Sequence, residues 1–98
     1  MPGTQELELV WSPAARADLI RLRKFIEPHN PEAAQRSAEA IKKGARLLIE
    51  HPAIGTRLAD RQDRELFIPF GVRGYILRYR LQGNRIVVLR LWHVRKNR

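Results

Sequence analysis

Two proline-capped stretches of helical period stand between one alternating segment and three more, and this order of periods leaves few possible folds. Ser12 can cap a helix, and Pro13 fits its first position, where a missing N–H costs nothing. The helix is predicted over 13–27, with Ala15, Leu19, Leu22 and Ile26 forming one apolar stripe. Arg16, Arg23, Lys24 and Glu27 fall mostly elsewhere. Pro28 and His29 make a break, after which Asn30 and Pro31 repeat the cap. The second helix is predicted over 31–50, on the stripe Ala34, Ala38, Ile41, Ala45 and Leu48. Its small alanines allow the two helices to pair closely as an antiparallel hairpin. Gly44 costs an interior helix position roughly 1 kcal/mol relative to alanine, so it marks a close crossing or a slight bend.

The alternating segments read as strands. Residues 5–11 place Leu7, Leu9 and Trp11 on one side. Residues 52–63 form an irregular loop around Gly55. The strand 64–70 points Leu66, Ile68 and Phe70 one way, with Pro69 implying an early end or a bulge. The strand 73–81 points Tyr75, Leu77, Tyr79 and Leu81 inward, and 85–93 points Val87, Leu89 and Leu91 inward. A fully buried Leu89 would lose roughly 2–5 kcal/mol on replacement by alanine. Residues 94–98 read as a loosely held tail. The resulting class is α+β, as one domain over 1–98: an N-terminal strand, a two-helix antiparallel hairpin, and a three-stranded antiparallel meander completing a small sheet.

With no cysteine in the chain, disulfides, thiolate chemistry and Cys-based zinc sites are excluded. No signal peptide or spanning segment is recognisable, which makes the cytoplasm the expected location. The net charge of +9 is concentrated at one end. Residues 64–98 hold nine Lys/Arg against the single acid Glu65. Fifteen of the 19 basic residues are arginine, suited to planar, bidentate contacts. A face this one-sided attracts phosphates or an acidic protein.

Period-two geometry then puts Ile76, Arg78, Arg80, Arg90 and Trp92 on the uncovered side of the sheet. Guanidiniums pair with phosphates and an indole stacks on a base, although Trp92 can equally pack under a partner or over the sheet edge. His93 is the only histidine in the basic third. It is a candidate for proton transfer at a 2′-hydroxyl, with Arg73, Arg78, Arg80 or Arg95 supplying charge and Glu65 or Tyr75 nearby in sequence. The alternative is a histidine that fixes the end of the sheet, and strand parity places it on the core side. His29 and His51 read as local capping or exposed residues. Gly71, Gly74 and Gly83 form no phosphate-cradling loop. No metal or cofactor is expected.

The ordered set of segments resembles the RelE/ParE superfamily of type II toxin–antitoxin toxins over essentially the whole chain, closer to the ParE-like branch. The segments are Val10 to Leu19, Asn30-Pro31-Glu32-Ala33-Ala34, His51-Pro52-Ala53-Ile54-Gly55, Arg64-Glu65-Leu66, Gly74 to Tyr79, and Leu91-Trp92-His93-Val94-Arg95. The resemblance implies a growth-inhibiting toxin covered by an acidic antitoxin. It implies either poisoning of DNA gyrase, as in ParE-like members, or cleavage of messenger RNA in the ribosome, as in RelE-like members. His93 resembles the C-terminal histidine of some RelE-like variants, but the lysine pair and the tyrosine after it are absent here. The expected target- or antitoxin-binding residues are Arg78, Arg80, Arg90, Trp92, Arg95 and Arg98; His93 with Arg73, Arg78 and Arg95 would be catalytic only in a nuclease. A homodimer, a toxin–antitoxin hetero-oligomer and a non-toxic nucleic-acid-binding module all remain open.

Overall fold

The elements run β1 (Glu8–Trp11), α1 (Pro13–Ile26), α2 (Pro31–Glu50), β2 (Thr56–Arg57), β3 (Arg64–Phe70), β4 (Arg73–Gln82) and β5 (Arg85–Arg95). They belong to a computed structural model that describes residues 6–95. Both caps form as expected. Ser12 Oγ accepts the Ala15 N–H at 3.0 Å, and Asn30 Oδ1 accepts the Ala33 N–H at 3.0 Å. The strands make one sheet in the order β1-β5-β4-β3-β2. β1 lies parallel to β5, and every other pair is antiparallel. The α+β class follows: two helices and a five-stranded sheet, with the helices on one face.

The core forms where the α2 stripe meets that face. Ile41, Ala45 and Leu48 pack against Ile68, Tyr75, Leu77, Tyr79, Ile86, Val88 and Leu91. Gly44 marks a close approach of α2 to β3, since a Cβ there would lie 2.8 Å from Ile68 Cδ1. Gly55 meets a second close approach. A Cβ at that position would stand 2.7 Å from the Tyr79 hydroxyl. That hydroxyl accepts the Gly55 N–H at 2.9 Å and donates to the Pro52 carbonyl at 2.8 Å, tying the loop after α2 to the centre of the sheet. Tyr79→Phe should therefore cost about 2 kcal/mol in chemical denaturation, because it leaves a buried N–H without an acceptor. A loss below about 0.5 kcal/mol would mean that the loop is not held this way.

Several expectations need correction. The loop 52–63 contains the two-residue edge strand β2, paired with Glu65 and Arg64. α1 ends at Ile26, one residue early, and β1 begins at Glu8, with Gln5 outside the described residues. β3 runs through Pro69 to Phe70 with no shift in its pairing to β4. Val94 and Arg95 extend β5 instead of belonging to a tail, and 96–98 lie outside the described residues. Leu81, at the far end of β4, is exposed.

The largest correction concerns the phase of β5. Arg78 pairs with Arg90 but Tyr79 pairs with Val88, so Leu89 is an extra residue in a bulge. One extra residue reverses the alternation. Ile86 and Val88 face the core before the bulge, and Leu91 faces it afterwards. Val87 and Leu89, expected inward, are only half-buried. The bulge lies where β1 leaves the sheet. There Ser12 N–H donates to the Val88 carbonyl at 3.0 Å and Ser12 Oγ donates to the Leu89 carbonyl at 3.1 Å.

Candidate functional site

On the sheet face away from the helices, strand pairing lines up rows of side chains. Phe67, Ile76 and Trp92 form one row across β3, β4 and β5. Glu65 and Arg78 are paired in the next, and Arg80 lies two residues further along β4. Arg78 donates from Nε at 3.0 Å and from Nη2 at 2.6 Å to one oxygen of Glu65. Its guanidinium carbon also lies 5.1 Å from the centre of the Trp92 ring, within cation–π range. Arg80 Nε donates at 2.7 Å to Asp63, a fully buried carboxylate that also receives Arg61 Nη2 at 2.9 Å. The hydrogen bond from Arg80 is the main influence on Asp63 and, with the charges of Arg80 and Arg61, outweighs burial to hold its carboxyl below the usual range. This face therefore presents a row of apolar side chains beside ion-paired arginines.

Arg90 departs from the expected arrangement. Its Nε and Nη2 donate to Asp18 of α1 at 2.9 and 3.1 Å, so its guanidinium is bound to the helical layer and not to the Arg78–Trp92 cluster. Asp18 also accepts the Leu91 N–H at 2.9 Å and bonds Arg21. It thus caps the stretch of β5 that β1 no longer covers. Burial acts to raise the Asp18 carboxyl, but these hydrogen bonds and the Arg90 charge overcome it and leave the pKa lowered.

His93 lies on the other side of the sheet, paired with Tyr75, their rings edge to face with centroids 5.7 Å apart. Together with Arg73 it borders a cavity of about 350 Å³ beneath α1. Of the two further candidates, Tyr75 is beside it across the β4–β5 register and almost fully buried. Glu65 is committed to Arg78 on the opposite face. Arg95 pairs with Arg73 in the strand register, and Arg98 lies outside the described residues. The residues considered for nuclease chemistry are therefore divided between two faces: His93, Arg73 and Tyr75 on one, Arg78 and Arg80 on the other.

The sequence model of the ParE toxin of the type II toxin–antitoxin system parDE matches residues 9–98. The chain belongs to this ParE toxin family. It is also similar to Toxin RelE3 of Caulobacter vibrioides, 37% identical over 81 residues that cover 83% of this chain and 87% of the relative. Toxin RelE2 of the same organism is 37% identical over 86 residues, covering 88% and 93%. Among solved structures, the chromosomal ParDE toxin–antitoxin system of P. aeruginosa superposes with a TM-score of 0.79 at 21% identity, covering 93% of this chain and 99% of that one. The RelBE2 toxin–antitoxin complex of Mycobacterium tuberculosis gives 0.61 at 22% identity, covering 91% and 99%. At these identities the likeness is one of fold. The chain is thus a toxin of the ParE/RelE superfamily of type II toxin–antitoxin systems.

Sequence reasoning about this ParE-family toxin missed Asp18 and Phe67. Both left a signal. Asp18 adjoins Leu19, three residues after Ala15, so it is an acid lying within the apolar stripe of α1. Phe67 stands between Leu66 and Ile68, so β3 is apolar at both parities, and Ile76 and Trp92 repeat this on the outward parity of β4 and β5. A strand that is apolar on both faces is the pattern of a sheet with something to meet on its second side.

Proposed function

We propose that this toxin inhibits growth in the cytoplasm by poisoning DNA gyrase, that an acidic antitoxin neutralises it, and that the open sheet face around Arg78, Arg80 and Trp92 engages the enzyme. The observation supporting this reading is the separation of His93 from the arginines of that face. Metal-free RNA cleavage needs a base, an acid and cations gathered around one phosphate. Here Arg78 and Arg80 are tied to Glu65 and Asp63 on the far side of the sheet from His93. A row of apolar side chains with pre-positioned, partly neutralised arginines suits contact with a protein surface better than it suits a phosphodiester in flight. The resemblance to ParE-like members points the same way.

The test is purified toxin incubated with gyrase, ATP and plasmid. Linear DNA should accumulate and supercoiling should fall, and neither should occur without gyrase. Trp92→Ala should raise the toxin concentration needed for half-maximal cleavage by about tenfold, the scale of an interface anchor, while the unfolding midpoint changes little. Folded toxin in excess with no effect on gyrase would overturn the proposal.

A second reading has one observation in its favour: Arg73, Tyr75 and His93 border the same cavity. If they form a ribosome-dependent nuclease site, His93→Gln should abolish messenger RNA cleavage on purified ribosomes and leave gyrase unaffected.

A further inference from the structure

The helical hairpin and the sheet do not close against each other at one end. Between the last turns of α1 and the ends of β3, β4 and β5, the cavity of about 350 Å³ is walled by Leu22, Phe25, Ile26, Phe70 and Tyr75. Ala33, in the first turn of α2, completes the wall. Its size is at the lower end of the range, roughly 300–1,000 Å³, in which proteins hold ligands or inserted side chains. Phe25 is 74% exposed at its mouth, although its ring is among the most apolar groups in the chain. A large ring left in water beside an open apolar cavity marks a contact surface.

The charges at the mouth indicate what would enter. Arg78, Arg80 and Arg90 each hold a carboxylate of this chain. Arg73, which borders the cavity, meets no carboxylate among the described residues. The site therefore offers apolar walls bordered by His93 and by one arginine, Arg73, that holds no carboxylate among the described residues.

We propose that this cavity receives a bulky apolar side chain from an acidic segment of the antitoxin, and that a neighbouring carboxylate of the same segment pairs with Arg73. The proposal rests on reading the chain as a toxin with an acidic antitoxin. It assigns the antitoxin anchor to the helical side of the sheet and leaves the Arg78–Trp92 face to the target. A single ring or branched side chain seated in a desolvated pocket is the usual form of an interface hot spot, and a guanidinium at its edge fixes orientation.

The test is isothermal calorimetry of the full-length toxin with the full-length antitoxin encoded beside it. Phe25→Glu puts a charge at the mouth of the cavity, and Ala33→Phe fills it. Each should weaken binding by about 30-fold or more, the factor expected for loss of a hot spot. Arg73→Glu should weaken it by about tenfold, and the salt dependence of binding should fall with it. Trp92→Ala should leave binding within twofold. Thermal unfolding of each variant checks folding, and Phe25→Glu, altering an exposed ring, is the variant expected to fold normally. If the wild-type toxin does not bind that protein at all, the toxin–antitoxin reading fails and the proposal falls with it. If the wild type binds and both cavity variants bind equally well, the reading stands and the proposed anchor site is wrong. If the toxin alone sediments as a dimer that Phe25→Glu dissociates, the occupant is a second copy of the chain, which also overturns it.

Discussion

Asp18→Ala should lower the stability of the toxin by about 3 kcal/mol, although Asp18 contributes nothing to the apolar core. The carboxylate is 1% exposed and receives the Leu91 N–H, two donors of Arg90, and Arg21. The Leu91 N–H lies on the edge of β5 after β1 has ended at Trp11, so no strand can take over as its acceptor. Removing the carboxylate leaves that buried N–H unsatisfied, at about 1–3 kcal/mol, and removes charge-assisted bonds of similar size. The side chains of Arg90 and Arg21 are more than half exposed and regain water, which keeps the total well below that for stranding a fully buried charge. Asp18→Asn, which keeps one acceptor oxygen, should lose about half as much. Urea denaturation at pH 7 measures both. A loss below about 1 kcal/mol for the alanine variant would mean that water replaces the carboxylate at the β5 edge.

The same carboxylates set the response to acid. Asp18 and Asp63 both have folded-state pKa values below the ordinary 3.8. In the window below that value the unfolded chain binds protons that the folded chain does not. The stability they contribute is complete above about pH 5 and drains away as pH falls toward the folded pKa values. Asp18→Asn should accordingly lose less stability than the wild type between pH 7 and pH 3. An equal loss would assign the acid sensitivity to other groups.

The parts of this fold that could be read from the sequence are those specified within a few residues. Ser12-Pro13 and Asn30-Pro31 fix both helix starts, because a cap needs only its own side chain and an N–H three residues on. The α2 stripe appears directly as buried residues, because a helix has one period along its length. What could not be read depends on contacts between distant residues. β2 exists only because Thr56 and Arg57 meet Glu65 and Arg64. The placement of Arg90 depends on Asp18, 72 residues away. Arg78, Arg80 and Trp92 could be assigned to the open face because β4 is regular and Trp92 lies beyond the bulge. Their acid partners could not, since Glu65 and Asp63 reach them through the β3–β4 register. An alternation read by eye assumes no bulge, and in β5 one inserted residue moved Val87 and Leu89 out of the core.

That bulge leads to a contrast between two leucines. Leu77→Ala should cost about 3 kcal/mol, within the roughly 2–5 kcal/mol range for emptying a fully buried leucine site. Leu77 is completely buried at the middle of β4 and lies between its strand neighbours Leu66 and Leu91. These side chains and the α2 stripe belong to one packed layer that cannot collapse into the vacated space. Leu89→Ala should cost less than about 1 kcal/mol, because the side chain is half-buried and the interaction that fixes the bulge uses the Leu89 carbonyl, which alanine retains. Guanidinium denaturation of the two variants under one set of conditions makes the comparison. Equal losses would mean that alternation continues unbroken through β5 in solution. Leu89 would then be in the core, and Arg90 would join Arg78 on the open face as a third arginine available to the target. The measured gap between two leucines thus also tests which arginines the toxin presents.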